Sequence, residues 1–220
     1  MPGLYHLVKN KAENNRNSSI ESILHSHPDI KFESISKNEL SELFVFSNQN
    51  YPIHTWSYGG FSLIMLGMIY NHSFNSIKSS IEEIIDNFSR ETTYINIVKE
   101  FVKSSDGDFI IYGYSEELNK GILFNDFLGR LPLYYYSDGF SLIFCSEQKG
   151  VIHNIPKIDI NLFEAVNYLM FEHTLGVNTM FNNVRRLLAG KILSFDHNLR
   201  IHEDQSESIS FEKNKTEKSK

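Results

Sequence analysis

The chain has 220 residues, 41% hydrophobic and 13% aromatic, enough to bury a sizeable core as one domain or one domain with an appended tail. Its net charge of −6, with no run of five or six basic residues, argues against nucleic acid or an anionic membrane surface as the main partner. The single cysteine, Cys145, excludes an internal disulfide framework and suits a reducing compartment, so a cytoplasmic location is expected.

In chain order, apolar-rich runs near 3–9, 43–47, 53–58 and 61–70 predict strands. The last, FSLIMLGMIY, is too uniformly apolar for a half-exposed edge and about half the roughly 20 residues that a membrane span needs. Two amphipathic helices follow. Ile77, Ile81, Ile84, Ile85 and Phe88 form one helical stripe, and Tyr94, Ile95, Val98, Phe101 and Val102 form the other.

Strands resume with GDFIIYGYSE, GILFND, LPLYYY and FSLIFCSE. Between GILFND and LPLYYY, the residues Asp126, Gly129 and Pro132 spell a turn, and Pro132 biases Leu131 towards an extended backbone. The SDG at 137–139 signals a hairpin. Asn161 with Glu164 three residues on resembles a capping box, opening a third helix with Leu162, Val166, Leu169 and Met170 on one face. GKILSFD and LRIHE complete the strands. This order predicts an α+β fold in which helices cover the outer faces of stacked, mostly antiparallel sheets. From Asp204 the chain turns polar, so the expected division is a domain over 1–203 and a disordered tail or linker over 204–220.

Generic site signatures are missing from the sequence: there is no phosphate loop, no G-x-G-x-x-G, no H-E-x-x-H, no G-x-S-x-G and no C-x-x-C. HSHPD at 25–29 is the densest histidine cluster, but zinc wants three or four ligands at workable spacing and no second cluster completes the set. Neither a metal nor a cofactor is therefore expected. Cys145 lies in an alternating strand run with no basic neighbour to lower its pKa, which makes it a small buried strand residue. Tyr134, Tyr135 and Tyr136 alternate between sheet faces, so core packing is expected of them.

Four blocks in order then carry a resemblance: MPGLYHLV at the start, LGMIYNHSF at 66–74, the stretch 107–150, and MFNNVRRLLAGKILSFD at 180–196. Over roughly residues 1–200 the chain resembles the class II, N-terminal-nucleophile glutamine amidotransferase domain of the asparagine synthase family. The third block is the specific one, keeping Asp126, Leu128, Gly129, Pro132, Leu133, Tyr134, Tyr135, Ser146, Glu147 and Lys149 of the family's pattern. The resemblance implies a four-layer αββα sandwich, with the Asp126 turn as scaffold and the chemistry elsewhere.

At the positions where the resemblance places that chemistry, the sequence departs from it. The family's nucleophile is a cysteine following the initiator methionine, whose freed α-amino group can serve as base; here that place is Pro2. The family's oxyanion hole uses an Asn side chain and a Gly N–H, and one such donor can be worth roughly 10²–10³ in rate; here Leu66 stands for the Asn, Gly67 remains, and Met68 replaces the acid that would hold the substrate's α-amino group. No arginine occurs between Arg16 and Arg90 to clamp an α-carboxylate, and Thr92 falls near the family's later Asp. No catalytic residue is therefore assigned, and Pro2, Leu66, Gly67, Met68 and Thr92 are expected to mark a degenerate pocket.

The functional expectation is an inactive amidotransferase-like domain supporting an asparagine-synthase-type, ATP-dependent, amide-forming ligase, supplied by another chain or a missing C-terminal half. No pyrophosphate loop of such a ligase occurs in these 220 residues. Two alternatives stand beside it. One is a stand-alone binding or regulatory module using the now apolar pocket around Leu66 and Met68 for a small apolar ligand or peptide. The other is an asparagine synthase-like enzyme of unrecognised mechanism.

Overall fold

The computed structural model describes residues 2–10, 20–24, 29–48 and 50–206. Two six-stranded sheets dominate it. The first contains β1 (Gly3–Lys9), β2 (Lys31–Lys37), β3 (Ser41–Ser47), β8 (Tyr134–Ser137), β9 (Ser141–Cys145) and β10 (Arg185–Arg186), ordered β10-β8-β9-β1-β3-β2. The second contains β4 (Ile53–Tyr58), β5 (Phe61–Ile69), β6 (Gly107–Ser115), β7 (Lys120–Asn125), β11 (Lys191–Phe195) and β12 (Ile201–Gln205), ordered β12-β11-β7-β6-β5-β4. All the strand pairs are antiparallel.

Period-two alternation decides which side chains meet. Leu4, Leu43, Val45, Leu66, Ile110, Leu133, Tyr135, Phe144 and Leu193 point into the layer between the sheets. Their strand neighbours face outwards. Leu63, Met65, Phe109 and Ile111 meet α2 (Phe74–Asp86) and α3 (Glu91–Ser104) through Ile77, Ile81, Ile84, Tyr94, Val98 and Phe101. On the far side, Tyr5, Phe44, Phe46 and Cys145 meet α1 (Ile20–Leu24) and α4 (Gln148–Asn154) through Leu24, Val151 and Ile155, which follows α4 as its C-cap. The result is the four-layer αββα sandwich. Each fully buried large apolar side chain contributes about 2 kcal/mol.

The strands and the two amphipathic helices lie where the sequence pattern puts them. Ser73, whose side chain accepts the Ser76 N–H, caps α2. Four elements lacked a legible signal: α1, β2, α4 and the two-residue β10. β2 is a mostly exposed edge whose alternation is broken by a register shift between Ser34 and Ser36. α4 carries Gly150 in its first turn, which sequence rules read as a breaker. A Cβ there would come within 2.5 Å of Cys145 Sγ, so the helix can dock on β9 only with glycine at that place.

The third predicted helix forms as α5 (Leu162–Phe171), and Asn161 does cap it, accepting the Glu164 N–H. Two features of the expectation fail. Glu164 does not return to the Asn161 N–H, which instead donates to the Met180 carbonyl. The apolar face is turned out, with Leu162, Val166, Leu169 and Met170 all exposed while Glu164 and Asn167 are buried. The reason is the loop after the helix: Glu164 accepts from Leu175 N–H, Asn167 Nδ2 and Asn178 Nδ2, tying the loop to the polar side.

The expected boundary at 203/204 also shifts. Asp204 and Gln205 are the last residues of β12, paired with Ile192 and Lys191, and Asp204 forms an ion pair with Lys99 at 2.8 Å. Ser206 is buried, donating its backbone N–H to the Gly190 carbonyl. Residues 207–220 lie outside the described residues, as do 25–28 of the HSHPD cluster.

Candidate amidotransferase site

The end of β5 is shaped by one glycine. Gly67 has φ +86°, and a Cβ on it would stand 1.9 Å from the Asp108 carbonyl oxygen, so no other residue fits between β5 and β6 without moving backbone. Its N–H donates to the Pro52 carbonyl at 2.9 Å. Leu66, one residue earlier, is 2% exposed and packs between the sheets with Leu4 and Ile110. Leu131 packs against the same layer, its Cδ1 2.9 Å from where the Gly67 Cβ would be.

Met68 points the other way and is half exposed, paired in register with Asp108. Asp108 accepts from the Arg130 guanidinium and from Tyr70 Oη at 2.9 Å. Arg130, and with it Tyr70, holds the Asp108 carboxyl below its ordinary range. The Arg130 guanidinium at this end is thus engaged by a carboxylate of the domain itself.

At the start of β1, Pro2 is half-buried and Gly3 pairs with Phe46. Ser146 clamps the strand from β9, its Oγ accepting the Leu4 N–H at 3.1 Å and its N–H donating to the Leu4 carbonyl at 3.0 Å. A Cβ on Gly3 would strike Ser146 Cβ at 2.2 Å. Ser146 therefore has a structural task, fixing where the N-terminus enters the sandwich.

The structure brings Leu66, Gly67 and Met68 together along β5, and sets Pro2 two residues before Leu4, which packs in the same layer as Leu66. Thr92 is not brought to them. It lies exposed in the first turn of α3, where Tyr94 packs at a tilt against Phe88 and Phe88 meets Phe61 edge-on, at the opposite end of β5. Only the C-terminal end of α3 approaches the Met68 end, through Asn71 Nδ2 donating to the Ser104 carbonyl. A helix rising 1.5 Å per residue leaves Thr92 roughly 18 Å short. The cause is the direct α2–α3 connection, which starts α3 at the Phe61 end.

A family described as a glutamine amidotransferase domain matches residues 46–205, about three quarters of the chain. The chain belongs to this family. The matched span holds Leu66, Gly67, Met68 and Thr92, and begins after Pro2 and β1. A search of the curated proteins found no match. Among solved structures, the domain is similar to the glutamine phosphoribosylpyrophosphate amidotransferase from B. subtilis complexed with ADP and GMP, at 9% identity and TM-score 0.46, with 93% of this chain and 49% of that chain covered. It is similar also to a structure described as the allosteric regulatory enzyme of purine biosynthesis, at 13% identity and TM-score 0.43, with 94% and 43% covered. The domain therefore spans less than half the length of either.

Within this amidotransferase domain the Asp126 turn is a hydrogen-bond hub. The buried Asp126 carboxylate accepts from the N–H groups of Phe109, Leu128 and Arg130, and its carbonyl from those of Gly129 and Gly190. Gly129 has φ +60°, and a Cβ there would sit 2.7 Å from Ala189 Cα. The neighbouring Asn125 donates to the Leu188 carbonyl and accepts the Lys191 N–H, fastening the same turn to β11. Tyr135 faces the inter-sheet layer, while Tyr134 and Tyr136 face α4, the alternation expected of them.

Burial governs the titration of Cys145 and His6 within the domain. Burial pushes the Cys145 thiol up to about 12, so it is no nucleophile. His6, which sequence reasoning did not single out, is fully buried between the sheets; its Nδ1 is hydrogen-bonded to Tyr112 Oη and its Nε2 lies 2.9 Å from Ser41 Oγ. Burial holds its pKa down at about 3. The signal was available: His6 falls between Leu4 and Val8 on the inward face of β1, and in a strand those three must share one layer. Among the described residues, no group of three metal-ligating side chains is gathered, and no helix is long and apolar enough to cross a membrane.

Proposed function

We propose that this domain does not hydrolyse glutamine and instead structurally supports an asparagine-synthase-type, ATP-dependent, amide-forming ligase carried on another chain or a further segment. The observation that carries the reading is the state of both oxyanion positions. Leu66 puts a buried apolar side chain where the amide donor would be, and the retained Gly67 N–H is engaged by the Pro52 carbonyl. Pro2 brings no side-chain nucleophile, and Thr92 is too far away to act with Met68.

The packing of Leu66 and Leu131 speaks against the pocket-binding alternative, since the apolar replacements fill the layer rather than lining a space. The test is an ammonia-release assay with glutamine on the purified chain, with Met1 removal checked by mass spectrometry, beside a Pro2→Cys and Leu66→Asn double variant. Silence of the natural chain is expected; ammonia from it would overturn the inactive reading. Reconstitution with a candidate ligase should raise amide formation from free ammonia, independent of glutamine.

A further inference from the structure

α5 is a helix turned inside out. No residue of it joins any of the three hydrophobic clusters. Its buried positions are Glu164 and Asn167, while Leu162 (76%), Phe163 (71%), Leu169 (83%) and Met170 (68%) are exposed, with Val166 half exposed between them. Exposing this much apolar surface leaves its burial free energy unrealised in an isolated chain unless the outer face is covered. Together with the neighbouring Ile160, the exposed apolar surface is on the order of 800 Å², which matches one side of a standard stable interface and exceeds the usual patch of a monomer.

We propose that α5 is the contact helix of a two-fold symmetric homodimer. The argument for a second copy is self-complementarity. An isologous interface uses the same patch twice, so each position must meet an acceptable partner when the helix is laid antiparallel on itself. About Val166 the apolar residues are placed symmetrically, with Phe163 and Leu169 three residues to either side and Leu162 and Met170 four. An antiparallel α5 pair with the axis at Val166 therefore sets Phe163 beside Leu169 of the other copy, and Leu162 beside its Met170.

Charge points the same way. Two chains of net charge −6 repel over most of their surfaces, and like charges facing one another across an interface are strongly unfavourable. The α5 face carries no charge, because its only carboxylate, Glu164, is turned inwards and occupied by Leu175 N–H, Asn167 and Asn178. The inward glutamate and the outward leucines are thus two sides of one arrangement. The loop is tied down on the polar face and the apolar face is left free for the partner copy.

The test is the solution mass of the full chain by light scattering across 1–100 µM, for the natural sequence, Leu169→Glu and Phe140→Glu. Phe140 is equally exposed but lies on the β8–β9 hairpin, away from α5. The expected result is a dimer of the natural chain at the upper concentrations, at least tenfold weakened by Leu169→Glu and unchanged by Phe140→Glu, with melting temperatures alike in all three. A second measurement uses Val166→Cys, which should form an intermolecular disulfide on mild oxidation, since the axis places it against itself and Cys145 is buried. A monomer at 100 µM, a dimer indifferent to Leu169→Glu, or no cross-link at position 166 would each overturn the proposal. None of these outcomes bears on glutamine hydrolysis, so this inference stands or falls separately from the inactive-domain reading.

Discussion

The Asp126–Pro132 turn and the Leu66–Met68 end of β5 are both stretches in which the resemblance to amidotransferases is read, yet they match it in opposite ways. In the turn the family residues are kept, and the structure gives Asp126, Leu128 and Gly129 a bond or a tight contact: three backbone N–H groups on one buried carboxylate, and a glycine wedged against Ala189. In the β5 stretch only Gly67 is kept, and it is the one residue there that the backbone requires, because the Asp108 carbonyl lies 1.9 Å from any Cβ. What the fold needs is present in both places. Leu66 and Met68, beside Gly67, differ from the residues that the resemblance would place there.

That contrast can be broken experimentally, and the turn should respond most. Asp126→Ala leaves three inward N–H groups without their acceptor and should destabilise the chain by roughly 3–5 kcal/mol in urea unfolding. A loss under 1 kcal/mol would show that the hub is redundant. Leu66→Asn, the change that restores the family residue, should cost about 3 kcal/mol, because it places an amide in a layer built of Leu4, Ile110 and Leu131. Full stability with Asn at 66 would mean that the position opens to solvent and that the pocket survives.

The inter-sheet layer also carries a pH dependence of definite sign. The folded His6 is held at about 3 by burial, against 6.5 in the unfolded chain, so only the unfolded state takes up a proton between those values. Its contribution is complete above pH 6.5 and lost as pH falls towards 3, at up to about 1.4 kcal/mol per unit. Unfolding free energies of the natural chain and His6→Gln between pH 7 and 4 should therefore converge on acidification; parallel curves would mean that His6 is protonated in place. The smallest effects belong to the exposed positions. Met68→Ala and Thr92→Ala should each change stability by no more than about 0.5 kcal/mol, and a larger loss at Thr92 would reveal a contact at the start of α3.

Most of the architecture was legible because period-two strands and 3.6-residue stripes report burial directly. The Ile77–Ile85 stripe of α2 is buried as its spacing demands. The same rule fails at α5, where Leu162, Val166 and Leu169 are as regular but face outwards. Periodicity tells that a face is apolar and leaves open what covers it; in α2 that is the second sheet, while in α5 the loop held by Glu164 claims the opposite face. Thr92 failed for a related reason. Its place relative to β5 depends on the length and direction of the α2–α3 connection, and alignment to a motif carries no such information.

The sequence by itself determined the strand and helix stripes, the glycines at 67 and 129, and the lack of a side-chain nucleophile at position 2, since each follows from local pattern or residue chemistry. Only the tertiary structure decided that Gly67 gives its N–H to Pro52, that Arg130 is occupied by Asp108, that His6 is sealed beside Tyr112 and Ser41, and that α5 shows its apolar side to the outside. Those are facts about partners distant in the chain, and what a polar or apolar group does is set by the partner it meets.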